Sequence, residues 1–394
     1  MNAMRNILAR DLARRAAFPA LFTLAAAAGC GGSGGNSTKG TGGTGGTSSA
    51  SSTTSGTTGT TGTGTGGGST AITCTGQPAA LSLTGTWAAI GELAVSLQGV
   101  PGGAITICPT NQVGDSTVLL LLQVTQDPTD GTMLSSIQAT LCSIELPVVT
   151  ALVGTCDPSS QALVSTQIVV PQTLIDALPS LVPPAVTGTL ASTAPGAALT
   201  VEPLVVTVGS SAMGSMLPSW NTTSNACNMP QLGGTNQCDA SCVSDCTTLR
   251  DDDKDGFPGV TVDVCGYTPS DTMNGVKCNA ATPSTPGATL QGQGFLDLEV
   301  NPQLTGTVKS SCEITGTVSS EVLYNLVGGD IYLAGAPITV TSAIESLPSF
   351  QVDASSSKFR MVRVDGMYGA PNWNVDPTNA SAACQTVIQN MNQL

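Results

Sequence analysis

Asp251-Asp252-Asp253-Lys254-Asp255-Gly256-Phe257-Pro258-Gly259 sets four carboxylates within five positions, directly ahead of a glycine. Carboxylates at every second position of a tight loop converge on one point, and a hard cation such as calcium wants several oxygen ligands at one point. Gly256, the sixth residue counted from Asp251, supplies the sharp turn such a loop needs. The alternative is a solvated acidic turn.

The pattern D-x-D-x-D-G resembles the calcium loops of EF-hands and thrombospondin type 3 repeats. The resemblance implies Asp251, Asp253 and Asp255 as side-chain ligands and the carbonyl of Phe257 as a fourth. An EF-hand closes its shell with a bidentate Glu at the twelfth position, where this chain has Val262, and Asp263 one residue further on is the remaining candidate. Pro258-Gly259 argues against a helix directly after the loop. Without the Glu the implied affinity is modest, about 10⁻⁴ to 10⁻³ M as in extracellular modules, and Mg²⁺ should compete poorly because it demands a tighter octahedron.

Other chemistry finds little support. The chain has no His, so every His-dependent triad or shuttle is excluded. Ser355-Ser356-Ser357-Lys358 has the S-x-x-K spacing but no companion S-D-N or K-T-G, and it reads as a turn leading into a strand. Paired carboxylates could serve a hydrolase, yet sugar sites usually need aromatic platforms and only three Trp are present. Gly85-Thr86-Trp87 resembles the G-x-W that opens lipocalin barrels, which would imply a carrier of apolar ligands; the plainer reading is a core Trp at a strand start.

Location is more legible than chemistry. Arg5, Arg10, Arg14 and Arg15 precede an apolar run from Ala16 to Ala28, and Ala28-Gly29 precede Cys30, the order of a secretory signal over residues 1–29. A cysteine at that point resembles the lipobox of bacterial lipoproteins, in which Cys30 would carry a diacylglycerol after cleavage. From Gly31 to Thr70 every residue is Gly, Ser or Thr except Asn36, Lys39 and Ala50. Such a segment has no apolar surface to offset the entropy of ordering, so residues 30–70 read as a flexible tether, roughly 35 Å in root-mean-square span. Tethers and calcium loops of this kind look like those of myxobacterial surface lipoproteins. The resemblance implies an exported protein at the outer membrane or cell surface.

Thirteen cysteines less Cys30 leave an even number, which in an exported chain points to disulfides. Cys227, Cys238, Cys242, Cys246, Cys265 and Cys278 crowd one segment and should pair among themselves. Cys74, Cys108, Cys142, Cys156, Cys312 and Cys384 are dispersed, with Cys142 and Cys156 the first candidate pair because they enclose a short loop. Zinc is disfavoured by the lack of close Cys-x-x-Cys pairs and of His.

These features sit in a body that reads as strands, with 3% aromatic and 10% charged residues. Leu296, Leu298 and Val300 alternate with Asp297 and Glu299, and Ile314, Val318, Val322 and Tyr324 with Glu313 and its neighbours, the period of one buried and one wet face. Val118 to Leu122 is an unbroken apolar run, a strand covered on both sides. Ala198 to Val208 is a further β-like stretch, and Gln172–Leu178 and Ala380–Met391 are the expected helices. The expected architecture is all-β, an antiparallel sandwich or barrel made of residues 71–214 and 287–394, interrupted by a Cys-rich insertion over 215–286 that holds the acidic loop.

A formal charge of -14 disfavours nucleic acid and anionic headgroups and favours cations. The expectation is a non-enzymatic, calcium-stabilised surface module that meets the membrane only through its lipid. Its ligand could be a protein, a glycan or an apolar small molecule. A lipocalin-like carrier and a carboxylate-based hydrolase are the alternatives.

Overall fold

The computed structural model describes residues 72–98, 107–108, 114–145, 148–153, 163–219, 238, 243–267, 290–333, 336–338 and 349–394. The signal, Cys30 and the tether lie outside them, as do Cys156, Cys227, Cys242 and Cys278.

In chain order the strands are β1 (Gly85–Gln98), β2 (Ile107–Cys108), β3 (Gly114–Gln126), β4 (Met133–Glu145), β5 (Val148–Val153) and β6 (Leu163–Val169). Helix α1 (Gln172–Ala177) follows, then β7 (Val186–Leu190), β8 (Ala197–Val201), β9 (Val206–Val208) and β10 (Val260–Tyr267). The last part holds β11 (Leu290–Ser310), β12 (Glu313–Leu333), β13 (Ala336–Ile338), β14 (Ser349–Val352), β15 (Lys358–Arg363) and helix α2 (Ala380–Gln389).

All of the strands join one antiparallel sheet. Part of it closes on itself. Each of β1, β3, β4, β7, β8, β11, β12 and β15 pairs with the next, and β15 pairs back onto β1. The ring is an up-and-down barrel of eight strands, the size at which side chains just fill the interior. Of the sandwich and the barrel, it is the barrel that forms, and residues 71–214 and 287–394 build it jointly.

The interior is a packed core. Trp87 and Ala89, Leu122 and Val124, Leu134 and Ile137, Leu199, Val308, Ile314, Phe359 and Met361 form one buried cluster drawn from around the ring. Gly316 lets the ring of Phe359 lie across the barrel wall, since a Cβ there would sit 2.6 Å from Phe359 Cε1. Arg363 plugs one end. Only 1% exposed, it donates to the carbonyls of Ser82, Ser311 and Thr84, pairs with Asp365, and stands 5.5 Å over the Trp87 ring.

The apolar run Val118–Leu122 is covered on both faces, as its composition predicts: Leu122 joins the interior, while Leu119 and Leu121 join an outer cluster under α2. Cys384 on α2 is bonded to Cys142 on β4, across 242 residues. The sequence expectation of a Cys142–Cys156 bridge is therefore wrong. Strand β4 turns Cys142 outward against the helix, so the partner is set by packing rather than by loop length. Cys74–Cys312 is a second long-range bridge, and Cys238–Cys246 closes a short one inside the insertion.

Hairpin β11–β12 is longer than the barrel needs, and its far end continues the sheet outward. There β11 pairs with β9 and β10, β10 with β6, β6 with β5 and β5 with β2, while β12 pairs with β13. This extension overturns the expected wet face of β11. Asp297, at 0% exposure, and Glu299 are buried, whereas Leu296, Leu298 and Val300 are half-buried. The segment 213–218 covers the acids, with Gly214 N donating to Glu299 Oε2 at 2.6 Å and Asn325 Nδ2 reaching the Pro218 carbonyl at 2.9 Å. Glu313 is likewise buried rather than wet, because Arg360 pairs with it at 2.8 Å. The stretch Ala198–Val208 divides into β8 and β9 around Pro203, which cannot donate to a ladder.

Candidate metal centre

The acidic tract lies between β9 and β10, at the root of the extension. Gly209 ends β9 and donates to Asp252 Oδ2 at 2.6 Å, Arg250 N donates to the Gly209 carbonyl, and Gly259 N returns to the Arg250 carbonyl. The backbone thus crosses itself where the tract begins and ends, and Asp251 bridges to Gly259. Gly259, at φ +88, runs so close to β11 that a Cβ would meet the Leu296 carbonyl at 2.6 Å. No larger residue fits there without moving the strand.

Within this closed loop the aspartates divide by parity. Asp252 faces outward to Gly209 and to Arg250, 3.2 Å away. Exposed Asp251, buried Asp253 and half-buried Asp255 turn towards one another, each offering an oxygen within 4.8 Å of the others. Two left-handed residues make the curl, Lys254 at φ 57 and Gly256 at φ 92. A lysine held there costs roughly 1–2 kcal/mol, so something in the loop must over-determine it. Asp251 accepts from the N–H groups of Asp255 and Gly256 at 3.1 and 3.0 Å. Asp255 accepts from Phe257 N at 2.8 Å and from the Thr261 hydroxyl.

Asp253 is the centre of the arrangement. It is 5% exposed; its Oδ2 accepts from Thr261 N at 2.9 Å, and its Oδ1 is buried without a hydrogen-bond partner. Burial pushes its pKa up to about 6, and the charges of Asp255 and Asp251 push in the same direction against the Thr261 N–H. A buried, charged, half-satisfied carboxylate beside two others is costly in a protein interior, by about 1–3 kcal/mol for the unpaired acceptor alone. A cation between the three would satisfy the orphaned oxygen and relieve the repulsion together. The geometry admits one, because oxygens sharing a calcium ion at 2.3–2.6 Å lie no more than about 5 Å apart. All donors are hard oxygens, which suits calcium or magnesium and not zinc or copper.

The remaining expected ligands stand differently. Phe257 stacks its ring on Phe295 at 4.5 Å between centroids, which fixes the loop to β11. Val243 and Val327 complete that small apolar cluster, with the cystine of Cys238 and Cys246 against it. The insertion therefore borrows its core from the hairpin. Asp263 is not one of the three converging acids. It sits further along β10, where its Oδ1 accepts from Gln293 Nε2 at 3.2 Å and burial raises its pKa.

Thr261 is a contributor that sequence reasoning passes over. It holds two of the three acids, yet a Thr opening a strand carries no signal of that role.

No protein-family model matches the chain, and no curated protein matches it in sequence.

Proposed function

We propose that this chain is an exported, non-enzymatic binding or structural module whose sheet extension is clamped by one calcium ion at Asp251, Asp253 and Asp255. The orphaned Oδ1 of Asp253, buried among three carboxylates, is the observation that carries the reading. The carbonyl of Phe257 and solvent would complete the shell. The ion's part is to neutralise the loop and fasten its two ends, Asp251 beside β9 and Thr261 on β10, over β11. Because β10 links the hairpin to β6, the clamp would brace the whole extension against the barrel. Calorimetric titration with Ca²⁺ should give one site of modest affinity that an Asp253→Ala, Asp255→Ala double variant lacks. Equal, negligible heats from both proteins would reduce the loop to a solvated turn.

The lipid anchor at Cys30 belongs to the same reading, supported by the order of charge, apolar run and small residues before it. Lipidated protein should partition into detergent and carry an acyl mass on Cys30, and Cys30→Ser should release it. A mature N-terminus elsewhere with no acyl mass would refute the anchor.

A second reading, an apolar-ligand carrier, draws on the up-and-down ring of eight strands opened by Gly85-Thr86-Trp87. The buried cluster that occupies the interior supports a scaffold instead. Saturable uptake of an apolar fluorophore that is abolished by enlarging an interior side chain would favour the carrier.

A further inference from the structure

Beside the acidic loop lies a groove of about 410 Å³ whose lining includes Leu181, Val182, Pro184, Val206, Arg250 and Lys254. That volume is within the range of small-molecule sites, roughly 300–1,000 Å³. One wall is aliphatic, and Val182 is 57% exposed on it, a large apolar side chain left open to solvent. The lining also carries Arg250 and Lys254, on a chain whose formal charge is -14. Arg250 is held by Asp252 and by the Thr207 carbonyl, each at 3.2 Å. Lys254 stands between two of the converging acids, so its position follows the loop.

Charge decides when this rim can accept an anion. Asp251 and Asp252 in the lining balance the two cations, and Asp253 and Asp255 in the loop behind it add two further negative charges. Without an ion the loop behind the rim is therefore net negative and disfavours an anion beside it, and a single divalent ion cancels the difference. Asp251 and Asp252 also line the groove, but their oxygens are engaged: Asp252 by Gly209 N and Arg250, Asp251 by the N–H groups of Asp255 and Gly256.

We propose that this groove binds a small amphipathic carboxylate, its head on Arg250 and Lys254 and its tail along Leu181, Val182 and Val206, when the loop holds calcium. The inference rests on the calcium reading, and by linkage each ligand strengthens the other. The test titrates decanoate, below its micellar concentration, into the full chain in millimolar calcium and again after chelation. Decanol supplies the tail without the charge, acetate the charge without the tail, and calcium binding is measured separately. Decanoate should bind in calcium and at least about tenfold more weakly after chelation. Val182→Asp should weaken it about tenfold, equivalent to 1.4 kcal/mol, while calcium still binds, and Lys254→Gln should weaken it likewise at a calcium concentration that saturates that variant. Decanol and acetate should bind more weakly than decanoate. Calcium binding without decanoate uptake, equal uptake by both variants, or decanol binding as tightly as decanoate would overturn the groove. Absence of calcium binding to the wild type would instead refute the metal centre, and the calcium dependence with it.

Discussion

Asp253→Asn should stabilise the protein in chelator and lose that advantage in calcium. Asp253 is 5% exposed with one oxygen unpartnered, and its pKa is raised from 3.8 to about 6. At neutral pH the folded chain holds that carboxylate charged, which by linkage costs on the order of 3 kcal/mol relative to the unfolded chain. Asn keeps the shape and an oxygen for Thr261 N, removes the charge, and offers an amide donor to the neighbouring carboxylates. The variant should therefore be more stable than wild type in chelator, by about 1–3 kcal/mol. With calcium that advantage should largely disappear. A ligand that binds only the folded state at 10 to 100 times its Kd adds about 1.4–2.7 kcal/mol, and the variant forfeits most of that gain. Thermal or urea unfolding of both proteins with chelator and with about 10 mM calcium, 10 to 100 times the implied Kd, reads the four stabilities. A chain of this size shifts its midpoint by about 1–2 °C per kcal/mol. The reasoning fails if the variant is destabilised in chelator, or if calcium stabilises both proteins equally.

Asp297 supplies a pH dependence of its own. Its native pKa, pushed up to about 8 by burial, lies above the unfolded value of about 4, so the native state holds a proton that the unfolded chain releases between them. Stability is then fully present below pH 4 and declines as pH rises towards 8, by a few kcal/mol, and Asp297→Asn should remove that decline in a comparison of urea midpoints. Replacing Cys142 and Cys384 by Ala should cost about 2–5 kcal/mol and speed amide exchange in Ala380–Gln389, whereas Cys142→Ala would have spared that helix had the bridge been local. Arg363→Met leaves the carbonyls of Ser82, Thr84 and Ser311 without their buried donor and should cost at least 3 kcal/mol, on the order of 1–3 kcal/mol for each group, read as a lower thermal midpoint. Chelation should raise proteolysis within 215–286 ahead of the barrel, and simultaneous digestion of both would argue against a local metal clamp.

Much of this molecule could be read from residue types alone. A period of two and turn residues specified strands, because those signals act between neighbours along the chain. The D-x-D-x-D-G spacing brought Asp251, Asp253 and Asp255 together for the same reason: convergence in a tight loop is a local property. Asp263 lies beyond the loop, so spacing could not say that a strand would pair it with Gln293. The fate of alternating strands was not local either. Leu296, Leu298 and Val300 looked like the buried side of β11, yet the hairpin outgrows the barrel and segment 213–218 folds over Asp297 and Glu299. Which face of a strand is wet depends on what packs there. Closure into a ring, the partner of Cys142 and the seat of Arg363 over Trp87 likewise join residues hundreds of positions apart. The entropy of closing a loop grows only slowly with its length, so chain distance does little to choose among distant partners. Packing makes that choice, and it exists only once the chain has folded.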